Sequence, residues 1–331
     1  MNDIKFSINR SFITNSLILV FIIFVVNNFF QNNYGNDAKL KNLNLQKIVS
    51  NELVSGERYS HIIDRECKIT GNMHDRHKVR WVRAIVHQKF SEITQFFGKS
   101  APYYFEIIVH SLFIFLSLFV LKKNFPIDEK YSLFYLLFVT FIFQQALGEY
   151  SYSILDMMFI SLCLLASKIR NLIFFIIVCC LAIMNRETGF LALFTWLIFN
   201  NNDYKKFIII SICVLSLFIL INFDILSCIL KPKFFAPLEY QQGQINYSDL
   251  LNANILSIIK VLSLNYIIPF GLGFYIYMKT KNKNKQLLII FLIYLLTFII
   301  ASPVHKMELK MLLLPYLWTF IYFKDKKFKR S

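Results

Sequence analysis

The stretch Asn185-Arg186-Glu187-Thr188-Gly189 sets two adjacent ionisable side chains between apolar runs at residues 172–184 and 190–199. At membrane depth each such group costs about 2.5–3.5 kcal/mol on insertion scales, so both must face protein or water and find partners. Arg186 admits two readings. Its planar fork is suited to a phosphate, or it belongs to a structural ion pair that locks two helix ends. Glu187 is the neighbouring candidate, with a positioning role. On a helix adjacent side chains diverge by about 100°, so the two are expected to have different partners. Asp156 follows Glu149 by seven residues and shares its helix face. Either carboxylate can partner Arg186, and Asp156 reads as a structural or supporting group.

Other groups capable of chemistry fall outside the apolar runs. His305, Lys306 and Glu308 precede the last run and can hold an anionic headgroup, or can simply be solvated. Asp37 follows the first run closely, within reach of a lipid-linked substrate at the bilayer surface, where a carboxylate can act as general base on a hydroxyl. It reads equally as a turn residue after Gly35-Asn36. Glu57 and Asp64 are further acidic candidates in the same polar stretch. His74 and His77 lack a third ligand at metal-binding spacing, so no metal site is expected. Arg80 and Arg83, with Arg76 and Lys78, form a basic face suited to a phosphate or anionic lipid. The six cysteines form no CxxC pair. They read as small buried apolar residues.

The elements that must position these groups follow from composition. The 331 residues are 56% hydrophobic with 36 Phe, and mean hydropathy is +0.51. Such long apolar runs imply an all-α, multi-spanning membrane protein. The formal charge of +16 sits in short clusters between the runs. That is a topology signal, which excludes nucleic acid as the partner. We expect one integral-membrane domain over residues 1–331. A first span lies at 12–30, an extracytoplasmic loop with amphipathic helices at 31–104, further spans within 105–323, and a basic tail at 324–331. The later apolar runs are 105–121, 131–147, 150–166, 172–184, 190–199, 207–230, 255–278, 287–301 and 310–323. About ten spans result, several short for a hydrocarbon core of about 30 Å. The short pair flanking Arg186 fits a bilayer-edge cavity.

Orientation follows from the bases. The loops at 122–130, 167–171, 200–206 and 279–285 and the tail are all basic, whereas 148–149, 185–189 and 302–308 carry few bases. The positive-inside rule then places both termini in the cytoplasm, in the inner (cytoplasmic) membrane. Asp37, Glu149, Arg186 and residues 303–308 share the extracytoplasmic face, which becomes the expected working face.

Three segments carry a resemblance. RWVRAIVHQKFSEI (80–93) looks like the amphipathic helix of a first extracytoplasmic loop. YSYSILDMMFISLCLLASKIRNLIFFIIVCCLAIMNRETGF (150–190) looks like a stretch ending in an Asn-Arg-Glu-Thr signature. HKMELKMLLLPYLW (305–318) looks like an acidic-basic segment running into a proline. Together they resemble the integral-membrane glycosyltransferases of the GT-C type that use polyprenyl-phosphate sugars. The resemblance implies an acidic base in the first loop, best matched by Asp37, and inverting sugar transfer from a lipid-phosphate donor to a glycan or lipid acceptor. Arg186, with His305, Lys306 or Arg83, would neutralise the leaving phosphate; a divalent metal is compatible and not required. The chain departs from the pattern at Asn36-Asp37, where two acids are usual, at Ile85 in place of a loop-helix proline, and at Lys310 in place of arginine. The alternatives are a polysaccharide polymerase or ligase, a lipid-linked glycan transporter, and a non-catalytic scaffold. Against a transporter stand the lack of an internal repeat and of matching Gly/Pro-broken spans.

Overall fold

Aliphatic and aromatic runs with charges only at their ends satisfy their backbone groups internally as helices. The computed structural model describes residues 82, 101–128, 131, 152–200, 203–221, 223, 268–279, 284–301 and 309–325, and among these no strand occurs. The helices are α1 (Ala101–Asn124), α2 (Tyr152–Lys168), α3 (Leu172–Asn185), a 3-10 helix (Glu187–Phe194), α4 (Thr195–Phe199), α5 (Tyr204–Ile221), α6 (Ile268–Lys279), α7 (Lys285–Ala301) and α8 (Leu309–Asp325). Among the described residues α5 alone is long and apolar enough to cross a membrane. It leaves Ile208, Ile209, Ile212, Leu215, Leu217, Ile219 and Leu220 exposed, while Ile210, Val214 and Phe218 face the core. Val82, from the first polar region, is helical and buried.

Hydrogen bonds sort the helix termini into two ends. Lys168 Nζ donates to Asn124 O, joining the last turns of α2 and α1. Ser167 Oγ donates to Thr195 O and Trp196 O at 3.0 Å each, and Asn200 Nδ2 returns a bond to Ser167 O at 3.0 Å. Asn284, beside the first turn of α7, donates to Ile198 O at 3.0 Å. Trp318 Nε1 donates to Phe125 O at 2.7 Å, and Lys324 Nζ to the Tyr131 hydroxyl at 2.9 Å. One end therefore holds the C-termini of α1, α2, α4 and α8 and the N-terminus of α7. Short links to Tyr204 and from Lys279 bring in α5 and α6. Lys122, Lys123, Lys168, Arg170, Lys205, Lys206, Lys279, Lys285 and Lys324 all belong to this basic end. Lys168 is held over the rings of Phe125 and Tyr322, 4.8 and 5.4 Å from their centroids, so its charge is anchored and not merely solvated.

The link between α2 and α3 is only three residues. Asn171 N–H bonds Ala166 O at 3.1 Å and Arg170 N–H bonds Ser167 O at 3.2 Å, the paired bonds of a Schellman motif. Glycine is the usual residue at the left-handed position of that motif, but here it is Arg170, with φ 57°. Holding a side chain there costs about 1–2 kcal/mol. Asn171 is already committed as N-cap of α3, its Oδ1 accepting from Phe174 N at 3.0 Å.

Between the ends the helices pack through small polar contacts and rings. Ser117 and Ser161 share a 2.7 Å hydroxyl bond between α1 and α2, and Ser161 also donates to Met157 O, so small polar side chains join the two helices where they meet. Phe291 of α7 sits between Phe270 of α6 and Phe320 of α8, at centroid distances of 5.0 and 5.2 Å. Gly273 makes room for it. A Cβ there would stand 2.6 Å from Phe291 Cε1 and 3.2 Å from a Leu317 methyl.

Candidate functional site

The end opposite the bases is built around the corner after α3. Arg186 N–H closes the last turn of α3 onto Ala182 O at 3.0 Å, and Arg186 O accepts from Gly189 N at 2.8 Å to open the 3-10 helix. Arg186 itself is extended, with φ −160° and ψ 148°. The stretch expected as a loop is thus a single extended residue between two helices. Residues 190–199, expected as an apolar span, are instead the greater part of the 3-10 helix together with α4.

Gly189 makes the corner tight. A Cβ on it would overlap the carbonyl group of Ala182 and stand 2.6 Å from Ile183 N, so the backbone of the first 3-10 turn lies directly on α3. An eight-residue 3-10 helix exceeds the usual length of three or four residues, and such runs mark strain or a functional hinge.

Asn185 and Asp156 converge beneath the corner. Asn185 Nδ2 donates to Asp156 Oδ1 at 2.6 Å, with Asp156 only 1% and Asn185 0% exposed. A carboxylate this deep needs such donors to offset its desolvation. Arg186, the next residue in the chain, is 7% exposed. The polar interior continues across the bundle. The buried Tyr316 of α8 donates to the buried Tyr294 hydroxyl of α7 at 3.3 Å. Four elements thus contribute buried polar groups, in two hydrogen-bonded pairs.

The expected residues are only partly brought together. Asp156 takes Asn185 as a partner, a contact that its spacing from Glu149 did not indicate. Glu187 opens the 3-10 helix. Asp37, Glu57, Asp64, Arg80, Arg83, Glu149, His305, Lys306 and Glu308 lie outside the described residues. The cysteines, expected to be buried apolar residues, divide. Cys163 and Cys179 are buried with their sulfurs 3.6 Å apart, whereas Cys213 is exposed on α5. The sequence reading did not find Asn185 as a ligand of Asp156 or the Tyr294–Tyr316 pair. An amide ending an apolar helix was the available signal for the first. The two tyrosines, in separate apolar runs, carried none. Among the described residues no group of three or more His, Cys, Asp or Glu is placed to hold a metal ion.

In comparisons with known proteins, no protein-family model, no curated protein and no solved structure matches this chain.

Proposed function

We propose that the chain is an integral-membrane transferase of the GT-C kind, moving a sugar from a polyprenyl-phosphate donor to a glycan or lipid acceptor at the extracytoplasmic face. The observation that carries this reading is the placement of Arg186. It lies nearly buried at the corner after α3, next in the chain to the Asn185 that binds Asp156, at the end of the bundle opposite the bases. A guanidinium held there suits the phosphate of a lipid carrier at the bilayer edge.

The two-ended arrangement supports a polytopic reading with about ten spans. The loops expected on the cytoplasmic side are those that the hydrogen bonds gather at the basic end. The exposed aliphatic faces of α3, α5 and α7 suit contact with lipid. Tyr131 lies at the basic end and α2 runs toward that end.

In this scheme the acceptor hydroxyl oxygen attacks the anomeric carbon of the donor. Its proton passes to Asp37, and the bond from that carbon to the lipid phosphate oxygen breaks with inversion. The electron pair leaves on the phosphate. Arg186, with His305, Lys306 or Arg83, stabilises that developing charge, which is where most of the acceleration arises. Asp156 and Asn185 fix the corner and have no direct part in bond making. Lipid-linked sugars and surface glycans are compared in cells carrying the parent chain, Asp37→Asn or Arg186→Ala. The transferase reading expects loss of one glycan and accumulation of its lipid-linked donor in both variants. Parental glycans in both would refute the mechanism.

A further inference from the structure

Arg170 is held in a left-handed conformation that glycine would adopt without strain. A strained residue that persists points to a use for its side chain. The guanidinium is exposed at the basic end. Beside it begins an apolar stripe at spacing four: Ile169 is 54%, Ile173 72% and Ile177 53% exposed. On α3, positions 173 and 177 lie one above the other, so the stripe runs from the turn along the helix. A cation at the head of an exposed aliphatic track has the chemistry of a phospholipid, with phosphate at one end and acyl chain along the other. Lys168 precedes Arg170, and its bond to Asn124 brings Lys122 and Lys123 of α1 to the same end. Lys205 and Lys206 stand at the start of α5, though Asp203 pairs with Lys206 at 2.8 Å. The end remains strongly positive.

We propose that the α2–α3 turn and the isoleucine face of α3 form a docking site for one anionic phospholipid of the leaflet at the basic end. Arg170 engages the phosphate, and Ile169, Ile173 and Ile177 lie along an acyl chain. The inference rests on the membrane placement proposed above, but not on sugar transfer.

The full-length chain in neutral detergent is titrated with phosphatidylglycerol, phosphatidylcholine or inorganic phosphate, and thermal unfolding is followed by tryptophan fluorescence. In the parent chain phosphatidylglycerol raises the midpoint, while phosphatidylcholine and inorganic phosphate do not. Arg170→Gly removes the charge together with the backbone strain, so its lipid-free midpoint stays at or above the parent value. Its response requires about fivefold more phosphatidylglycerol, the change expected for one surface cation. Arg170→Lys retains the parental response. Equal responses of Arg170→Gly and the parent, equal action of the two lipids, or a full effect of inorganic phosphate alone would each overturn the site. Recovery of the chain in the aqueous fraction without detergent would remove the membrane placement and the lipid site with it. Loss of the transferase reading with the lipid response intact would leave the site standing.

Discussion

Replacing Gly189 with alanine tests the corner on which the candidate site depends. The added Cβ would overlap the Ala182 carbonyl and stand 2.6 Å from Ile183 N, about 1 Å inside the 3.5–4.0 Å at which carbon contacts are favourable. Both sides of this clash are backbone, so no rotamer change relieves it. The 3-10 helix must move off α3, at the expense of the 2.8 Å bond from Gly189 N to Arg186 O. Overpacking costs about 1–3 kcal/mol where side chains can adjust, and a backbone clash belongs at or above that upper limit. Two other glycines calibrate the result. A Cβ at Gly271 meets nothing within 4 Å, so Gly271→Ala in α6 should stabilise by about 0.5–1 kcal/mol through helix propensity. Gly273→Ala meets the Phe291 ring, a side chain that can rotate, and should fall between, costing about 1–2 kcal/mol. Unfolding of the three variants in one detergent should rank Gly271→Ala above the parent, then Gly273→Ala, then Gly189→Ala. A Gly189→Ala protein as stable as Gly271→Ala would refute the close packing of the 3-10 helix on α3.

The Asp156–Asn185 contact is open to a double-mutant cycle. Asn185→Ala strips a donor from a carboxylate and should cost about 2–3 kcal/mol, while the double alanine variant should fall short of additivity by about 1–3 kcal/mol. Additive effects in unfolding would dissolve the brace. Trp318→Phe leaves Phe125 O without its indole donor and should cost about 1–2 kcal/mol, read as a lower unfolding midpoint; an unchanged midpoint would detach α8 from the end of α1. Arg170→Gly should stabilise by about 0.5–1 kcal/mol, the relief of left-handed strain less the greater freedom of glycine in the unfolded chain. A destabilised variant in lipid-free detergent would contradict the Schellman geometry.

Where a helix is an apolar run bounded by Lys or Asn, composition located it well. The runs at 172–184, 287–301 and 310–323 correspond to Leu172–Asn185, Lys285–Ala301 and Leu309–Asp325, because a polar, charged or proline residue near each boundary marks where the apolar stretch must stop. The run at 190–199 was equally apolar and became something different, since no side-chain pattern separates a 3-10 helix from an α-helix. What distinguishes it is the close approach at Gly189, a tertiary contact. Asp156 was legible as a group needing a partner, and heptad spacing placed it on a helix face. The choice of Asn185 depended on how α2 and α3 stack. The turn at 169–171 is similar. Asn tolerates the left-handed conformation better than Arg, so Asn171 was the natural residue for it. The cap of α3 claims the Asn171 side chain, and the strained position falls to Arg170.

The 3-10 helix also accounts for how so short a segment can sit beside α3. Fourteen residues of α3 rise about 21 Å. The thirteen returning residues, Glu187–Phe199, would reach about 19.5 Å as a continuous α-helix. With the first eight in 3-10 geometry, at about 2.0 Å per residue, they reach about 23.5 Å. The return strand of this hairpin is stretched enough for Asn200 to reach Ser167 while Arg186 stays at the far corner. The same residues wound as a continuous α-helix would fall about 1.5 Å short of the length of α3. Ser167 and Asn200 bind at one end, and Asn185 and Asp156 at the other. The strain of the long 3-10 helix is thereby coupled to both ends of the bundle. Along its length the 3-10 helix is also held to α5, by Phe190 against Phe218 and Phe194 against Phe207 at centroid distances of 5.1 and 5.7 Å.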